Sequence, residues 1–242
     1  MAWEDVTVLE ECCSTNIEAA DTVRYDHGAA VIAQRQTAGR GQRGHKWESA
    51  AGENLTFSIV FEPVFVPASE QFMLSEVSAL AVTDTLAGYG IDARIKWTND
   101  IYVGDSKICG ILIEHSLSGG HLSRTISGIG VNVNQTDFPA WLPNPCSMAT
   151  VTGSKYAVME IFDALYANLR IRYGMLEAGK GDRLAADYHT LLYRRGVPSR
   201  FFIPGRGEVI GVIRGAEADG RLKVTIDGQD EEFLFKEIEF II

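Results

Sequence analysis

Several things are missing from these 242 residues, and each absence narrows the field. No apolar run approaches the ~18 residues of a membrane-spanning helix. The opening Met-Ala-Trp-Glu-Asp has neither a basic start nor an apolar stretch behind it, so it does not read as a secretion signal. Cysteines are few: Cys12, Cys13, Cys109 and Cys146 contain no CxxC spacing. The adjacent pair makes a poor disulfide or zinc framework, and reduced thiols in a cytoplasm fit best. Positive charge is also short. Twenty-two Lys and Arg stand against 32 Asp and Glu, a net charge of −10, which argues against nonspecific nucleic-acid binding. There is no internal repeat or low-complexity segment. What remains, 46% hydrophobic and 22% charged, is an ordinary globular composition with length enough for a large domain and a small one.

Against that acidity, one stretch stands apart. Gln36 to Trp47 reads Q-T-A-G-R-G-Q-R-G-H-K-W and holds no acidic residue. Gly39, Gly41 and Gly44 let backbone N–H groups approach a ligand, and Arg40, Arg43 and Lys46 supply donors for phosphate or carboxylate. The pattern suits an anion-binding loop, with a solvated surface loop as the plain alternative. Gly39-x-Gly41-x-x-Gly44 matches the dinucleotide-binding motif literally. That motif needs a helix opening on its last glycines, and here the next ordered signal is the alternating Leu55–Phe61. The phosphate loop of nucleotide triphosphatases needs Lys after the glycine, where this chain has His45. The loop therefore joins two strands, Ala29–Gln34 and Leu55–Phe61.

Before it, Val6–Leu9 is a short strand candidate, and Ser14-Thr15-Asn16 precedes a helix pattern over Ile17–Val23. Ser14 or Thr15 would cap that helix, and the same junction could bind a polar ligand; residue type alone favours capping. After Pro63 and Pro67, Glu70–Ala87 reads as a helix with Met73, Val77, Leu80 and Ala81 as its core stripe. Ala93–His115 reads as a hairpin turning at Gly104-Asp105. Lys96, Asn99, Asp100 and Lys107 ride on or beside its apolar strands. A lysine entering a strand as apolar as Ile108–Ile113 needs a partner, but spacing alone also allows Lys107 to sit exposed just past the turn. His121–Ile126 and Ser127–Asn134 complete a third strand pair, with glycines that imply close approach by a ligand or another segment. A Pro-rich loop over 137–150 holds Trp141. Ser154 could cap a helix bearing Val158, Phe162, Leu165 and Leu169, and a second helix spans roughly 182–193. From Gly196-Val197-Pro198 onward the texture is strand and turn: Arg200–Ile203, Gly207–Arg214, Leu222–Ile226 and Glu232–Ile241. This predicts a small β-barrel of about 45 residues, too small to stand securely alone.

Three motifs in order, G-R-G-Q-R-G-x-x-W, K-W-T-N-D-I-Y-V-G-D-S-K-I-C-G-I-L-I-E and G-I-G-V-N-V-N, make the chain resemble a biotin–protein ligase, also called holocarboxylase synthetase. The resemblance runs from Ser14 to the C-terminal strands. It implies an α+β fold: a mixed sheet with flanking helices, as in class II aminoacyl-tRNA synthetases, over residues 1–195, and an SH3-like β-barrel over 196–242. It implies two reactions. Biotin and ATP give biotinyl-5′-AMP and pyrophosphate, with Mg²⁺ on the phosphates. A lysine on the carboxyl carrier domain of a biotin-dependent carboxylase then takes the biotin and releases AMP. The motifs imply that Lys107 and Arg40 are catalytic. Ser14, Thr15, Asn16, Gln36, Gly39, Arg40, Lys107 and Gly110 would hold biotin. Arg40, Gly41, Gln42, Arg43, Trp47, Asn99, Lys107, Gly130 and Asn132 would hold the nucleotide, and Asp100 would orient the acceptor lysine. The motifs do not say which residues would hold the metal. Relatives that repress transcription carry about 60 residues of DNA-reading helices first; the motifs here begin at Ser14, so the expectation is a monofunctional, cytoplasmic ligase without DNA or membrane binding. A homodimer is possible, with the strand edge near 121–127 as its candidate interface. Two positions depart from the family pattern. Gln42 stands where many members have arginine, and Thr98 where proline is more common. The loop over 38–53 is expected to order on biotinyl-AMP. A lipoate ligase or octanoyltransferase shares the fold, and a nonenzymatic binding module is the reading from another class.

Overall fold

Leu55–Phe61 (β3) is buried along its whole length, including the polar Thr56 and Ser58 of its alternating pattern, because the rest of the main sheet is laid out on either side of it. The computed structural model describes residues 3–44 and 46–242, and of Arg43 the backbone alone. On one flank of β3 lie Ala30–Gln36 (β2) and Val6–Cys12 (β1). On the other lie His121–Val131 (β7), Ser106–Ser118 (β6), Asp100–Val103 (β5) and Arg94–Lys96 (β4). The order is β1-β2-β3-β7-β6-β5-β4. β1 and β2 are parallel and every other pair is antiparallel, so the sheet is mixed.

Register assigns the two faces. Phe57, Ile129 and Ile111 form one cross-strand row. They belong to the main apolar cluster, where Phe57 meets Phe162 edge-on at 5.3 Å. The neighbouring row is Thr56, Gly130, Gly110, Asp100 and Lys96, one residue from each of five adjacent strands. The row after it is Ser58, Gly128 and Leu112. Small and polar residues at alternate positions thus leave a shallow trough across the face opposite the core.

Helices cover the apolar face. Phe72–Gly88 (α2) is buried nearly all round, not along the single stripe expected, because α4 (Val158–Glu177) and α5 (Gly181–Leu191) pack against it. Arg172 on α4 ties the three together, reaching Asp84 at 2.6 Å and Asp187 at 2.7 Å.

The expected helix over 17–23 shrinks to one turn, Thr15–Glu18 (α1), and Ser14 at its start makes no side-chain capping bond. Met148–Thr152 (α3), capped by Ser147, lies at the end of the Pro-rich loop. The expected cap Ser154 is wrong: α4 starts at Val158 after Ala157, four residues later. The pair expected over 121–134 is a single strand, β7, and it runs between β3 and β6 over Thr125–Val131. Residues 125–127 therefore lie inside the sheet, while 121–124 pair with β6 alone and meet Val66 and Pro67 on their other side; the outermost strands are β1 and β4.

The C-terminal strands Pro198–Ile203 (β8), Gly207–Ala216 (β9), Leu222–Ile226 (β10), Gln229–Phe233 (β11) and Glu239–Phe240 (β12) form an antiparallel sheet in the order β11-β10-β9-β8-β12. It is barrel-like but, among the described residues, not closed. Its buried Phe201, Ile213 and Val224 join the same apolar cluster as the main sheet. Trp97 Nε1 donates to Gly220 O at 2.9 Å, and His189 Nε2 accepts from Ala216 N at 3.0 Å. The boundary expected at 195/196 falls between α5 and β8. Among the described residues no helix is long and apolar enough to cross a membrane.

Candidate active site

The trough holds a cavity of about 290 Å³. Its floor is formed by glycines, and at three places a side chain would crowd what lies on them. A Cβ on Gly130 would lie 2.3 Å from Trp47 Cε2, one on Gly110 would lie 3.0 Å from Trp47 Cζ3, and one on Gly128 would lie 2.1 Å from Asn16 Oδ1. A contact below 3.0 Å does not survive without a shift, so glycine at 128 and 130 lets Asn16 and Trp47 lie against the strands, and Gly110 leaves the far edge of the Trp47 ring a tight fit.

At one end the lining is uncharged and rich in hydrogen-bonding groups. Gln36 Oε1 accepts from Thr15 N at 2.8 Å. Ser58 Oγ lies 2.7 Å from Thr15 Oγ1 and 2.6 Å from Asn16 Oδ1. Asn16 Nδ2 donates to Glu114 Oε2 at 2.8 Å and to Leu112 O at 3.3 Å. Glu114 also pairs with Arg40. Ser14, Thr15 and Asn16 are all buried. Of the two readings of that tripeptide, the capping one has no bond to support it, while the polar network does exist.

The other end is cationic. The glycine loop closes on itself, with Trp47 N donating to Gly39 O at 3.0 Å and Arg40 bridged to Lys46. A short 3₁₀ turn, Gln42–Gly44, forms its tip. Lys107 sits in β6, and Asp100 Oδ1 lies 2.7 Å from its Nζ; the open question about this lysine is settled in favour of a partnered one. Its backbone is gripped by the Pro-rich loop: Lys107 N donates to Asn144 O at 2.7 Å, and Cys146 N donates to Lys107 O at 2.9 Å. Lys107 Nζ also lies 5.8 Å from the Trp47 ring. Lys96, across β4–β5 from Asp100, rests over Phe240 at 4.8 Å and Tyr102 at 5.3 Å. Burial pushes its pKa down, and the nearby Lys107 acts in the same direction, against the pull of Asp100. Four side-chain polar atoms are buried without a partner among the described residues, and Trp47 Nε1 and Asn99 Oδ1 are two of them. Both belong to residues that line the cavity, and buried polar atoms of this kind call for a ligand or water.

Of the residues singled out in the sequence, Ser14, Thr15, Asn16, Gln36, Arg40, Gly41, Gln42, Trp47, Asn99, Asp100, Lys107, Gly110 and Gly130 line this cavity. Gly39 lies just behind it, where a Cβ would strike Trp47 O at 2.5 Å. Asn132 does not line the cavity, and its amide donates to Cys146 O at 2.9 Å. It braces the loop that holds Lys107. The side chain of Arg43 lies outside the described residues. Sequence reasoning missed Ser58 and Glu114, and it gave no site role to Lys96, Thr98 or Gly128, which line the cavity. Gly128 carried a signal, since it stands two residues from Gly130 and shares its face. Glu114 also carried one, as a carboxylate ending an apolar run.

With this geometry in place, comparison with known proteins gives first a class and then a family. A family model for the biotin/lipoate A/B protein ligases matches residues 14–132. The biotin–[acetyl-CoA-carboxylase] ligase of Paracoccus denitrificans is 38% identical over 166 residues, covering 65% of this chain and 68% of that protein. The Mycobacterium tuberculosis enzyme of the same name is 28% identical over 236 residues, covering 94% and 85%. A biotin protein ligase from Aquifex aeolicus, solved in complex with biotin and ATP, superposes with a TM-score of 0.83 at 25% identity over 98% of this chain and 99% of that one. The chain belongs to the biotin–protein ligase family.

Proposed function

We propose that the cavity joins biotin to ATP and passes the product to a lysine. The protein is a ligase that attaches biotin, at the expense of ATP, to the carboxyl carrier protein of a biotin-dependent carboxylase. The observation that carries the site assignment is the division of the cavity into an uncharged polar end and a cationic end, with Arg40 and Lys107 at the junction.

Biotin's ureido ring is neutral, with two N–H donors and a carbonyl acceptor. That chemistry suits Ser14, Thr15, Asn16 and Gln36, and leaves the carboxylate pointing toward Arg40 and Lys107. In the first step a carboxylate oxygen attacks the α-phosphorus, and the bond to the bridging oxygen of pyrophosphate breaks. Two anions must approach, so fixed cations lower the barrier most where charge concentrates. Gly110 and Gly130 let the Trp47 ring lie flat on the sheet, and the nucleotide packs against that ring with Gly41, Gln42 and Asn99 around it. In the second step the carrier's amine attacks the acyl carbon and AMP departs. Asp100 can orient that amine once phosphate competes for Lys107. Holding the reactants in line supplies the rest of the acceleration, and no enzyme nucleophile is needed.

Mg²⁺ would enter on the triphosphate. No cluster of three metal-ligating side chains occurs among the described residues, and Asp100 is the one carboxylate in the cavity lining. That donor set fits an ion held mostly by phosphate oxygens. The acidity of the chain supports action without DNA, and its four free cysteines fit a reducing cytoplasm. The test is incubation with biotin, Mg-ATP and a carrier domain, followed by intact mass. A gain of one biotinyl group on the carrier is expected. Transfer of lipoate in place of biotin, or no transfer, refutes the reading.

A further inference from the structure

The two positions where this chain departs from its family's motifs lie 56 residues apart, and they touch. Gln42 Nε2 donates to Thr98 Oγ1 at 3.2 Å. Among the described residues this is the one side-chain hydrogen bond that either residue makes. The two ends are anchored differently. Thr98 is fixed: Tyr188 OH donates to its carbonyl at 3.0 Å, and the preceding Trp97 is tied to Gly220. Gln42 rides on the tip of the glycine loop.

The contact stands at a wall. A second cavity of about 230 Å³, reaching to Ser75, His115 and Asp219, is bounded by Gln42, Thr98 and Asn99, which also bound the reaction cavity. The buried, partnerless Asn99 Oδ1 lies at the same boundary. A proline at 98 would have no hydroxyl to offer, and glutamine at 42 has no charge with which to hold phosphate by itself.

We infer that Thr98 is a positioning residue for the ligase reaction, its hydroxyl tethering the glycine loop through Gln42 so that the activated intermediate stays sealed from water. The inference rests on the adenylate chemistry proposed above. Biotinyl-AMP is a mixed anhydride, and excluding water is what preserves it until an amine arrives.

The test uses wild type, Thr98→Val (the same shape without the hydroxyl), Thr98→Ser, Gln42→Ala, and the double variant Thr98→Val with Gln42→Ala. Each is loaded with biotin and Mg-ATP, stripped of free ligand, and followed for loss of biotinyl-AMP, with melting temperature recorded alongside. One partly buried hydrogen bond corresponds to about a two- to tenfold change. Thr98→Val should lose the intermediate that much faster without a matching drop in melting temperature, and Thr98→Ser should restore retention. The double variant should be no faster than the quicker single one, since both remove the same bond. Retention by Thr98→Val equal to wild type, or effects that multiply in the double variant, overturns the tether. If wild type forms no biotinyl-AMP, the proposed reaction fails instead. The tether is then read from protease cleavage of ligand-free protein within 38–53, where Thr98→Val should cut faster and Thr98→Ser should not; equal cleavage overturns it.

Discussion

Replacing Gly128 by alanine tests the polar end of the site most sharply. The added Cβ would lie 2.1 Å from Asn16 Oδ1 and 2.9 Å from its Cγ. Asn16 must retreat by about 1 Å to reach ordinary contact, and a hydrogen bond does not survive that shift from both of its ends. Its present bonds run to Ser58, Leu112 O and the Glu114 carboxylate. Losing the neutral Ser58 bond at the displaced Oδ1 costs about 1 kcal/mol and losing the charged bond to Glu114 about 2 kcal/mol, together about 3 kcal/mol. Spent on biotin recognition, that is roughly a hundredfold in kcat/KM for biotin.

The assay is biotin-dependent pyrophosphate release over a range of biotin concentrations, with a melting curve beside it. Gly174→Ala is the control. It lies in α4 with open space where its Cβ would go, so it should stabilise the fold by about 0.5–1 kcal/mol and leave the kinetics alone. If Gly128→Ala keeps kcat/KM for biotin within threefold of wild type, or if Gly174→Ala shifts it equally, Asn16 is not a biotin ligand held in place by the glycine.

Lys107→Ala should cut single-turnover adenylate formation by several orders of magnitude, because it removes a cation most useful when the two anions meet; an unchanged rate removes Lys107 from the mechanism. Glu76, buried in α2, has its carboxyl pKa raised by burial to about 8 from an ordinary 4.5. The native state therefore holds this proton more tightly than the unfolded chain. Its contribution to stability is fully present below about pH 4.5 and is lost as the pH rises toward 8. Glu76→Gln should flatten that slope and leave the protein more stable than wild type at pH 8, by a few kcal/mol at most, in urea titrations at pH 6 and pH 8; a variant weaker at pH 8 than at pH 6 contradicts this. Biotin with Mg-ATP should slow protease cleavage within 38–53 several-fold, and equal cleavage with and without them would count against ordering of the loop.

The glycines show what the sequence could reveal and where it stopped. Gly39, Gly41 and Gly44 are legible because they stand beside arginines in a chain short of positive charge, a purely local contrast. Gly110, Gly128 and Gly130 lie on two strands, and only register brings them onto one face beside Thr56, Ser58 and Asp100. The same holds for Lys107. Its spacing left it open between an exposed lysine and a buried one, and the partner that decides, Asp100, lies across a hairpin whose bulge sets the alignment. Helix ends were misplaced for a related reason. Ser14 and Ser154 have the chemistry of caps, but one stands in a buried polar corner and the other four residues before α4 begins. Gln42 and Thr98 each read as a lone departure from a motif, and the hydrogen bond between them needs the loop and the β4–β5 corner to meet in space. Local chemistry is written along the chain, whereas pairing across strands is written in it only through the fold. The trough is a product of that pairing: five strands each contribute one residue, and the row becomes a floor only because glycine occupies two adjacent places in it, 130 and 110.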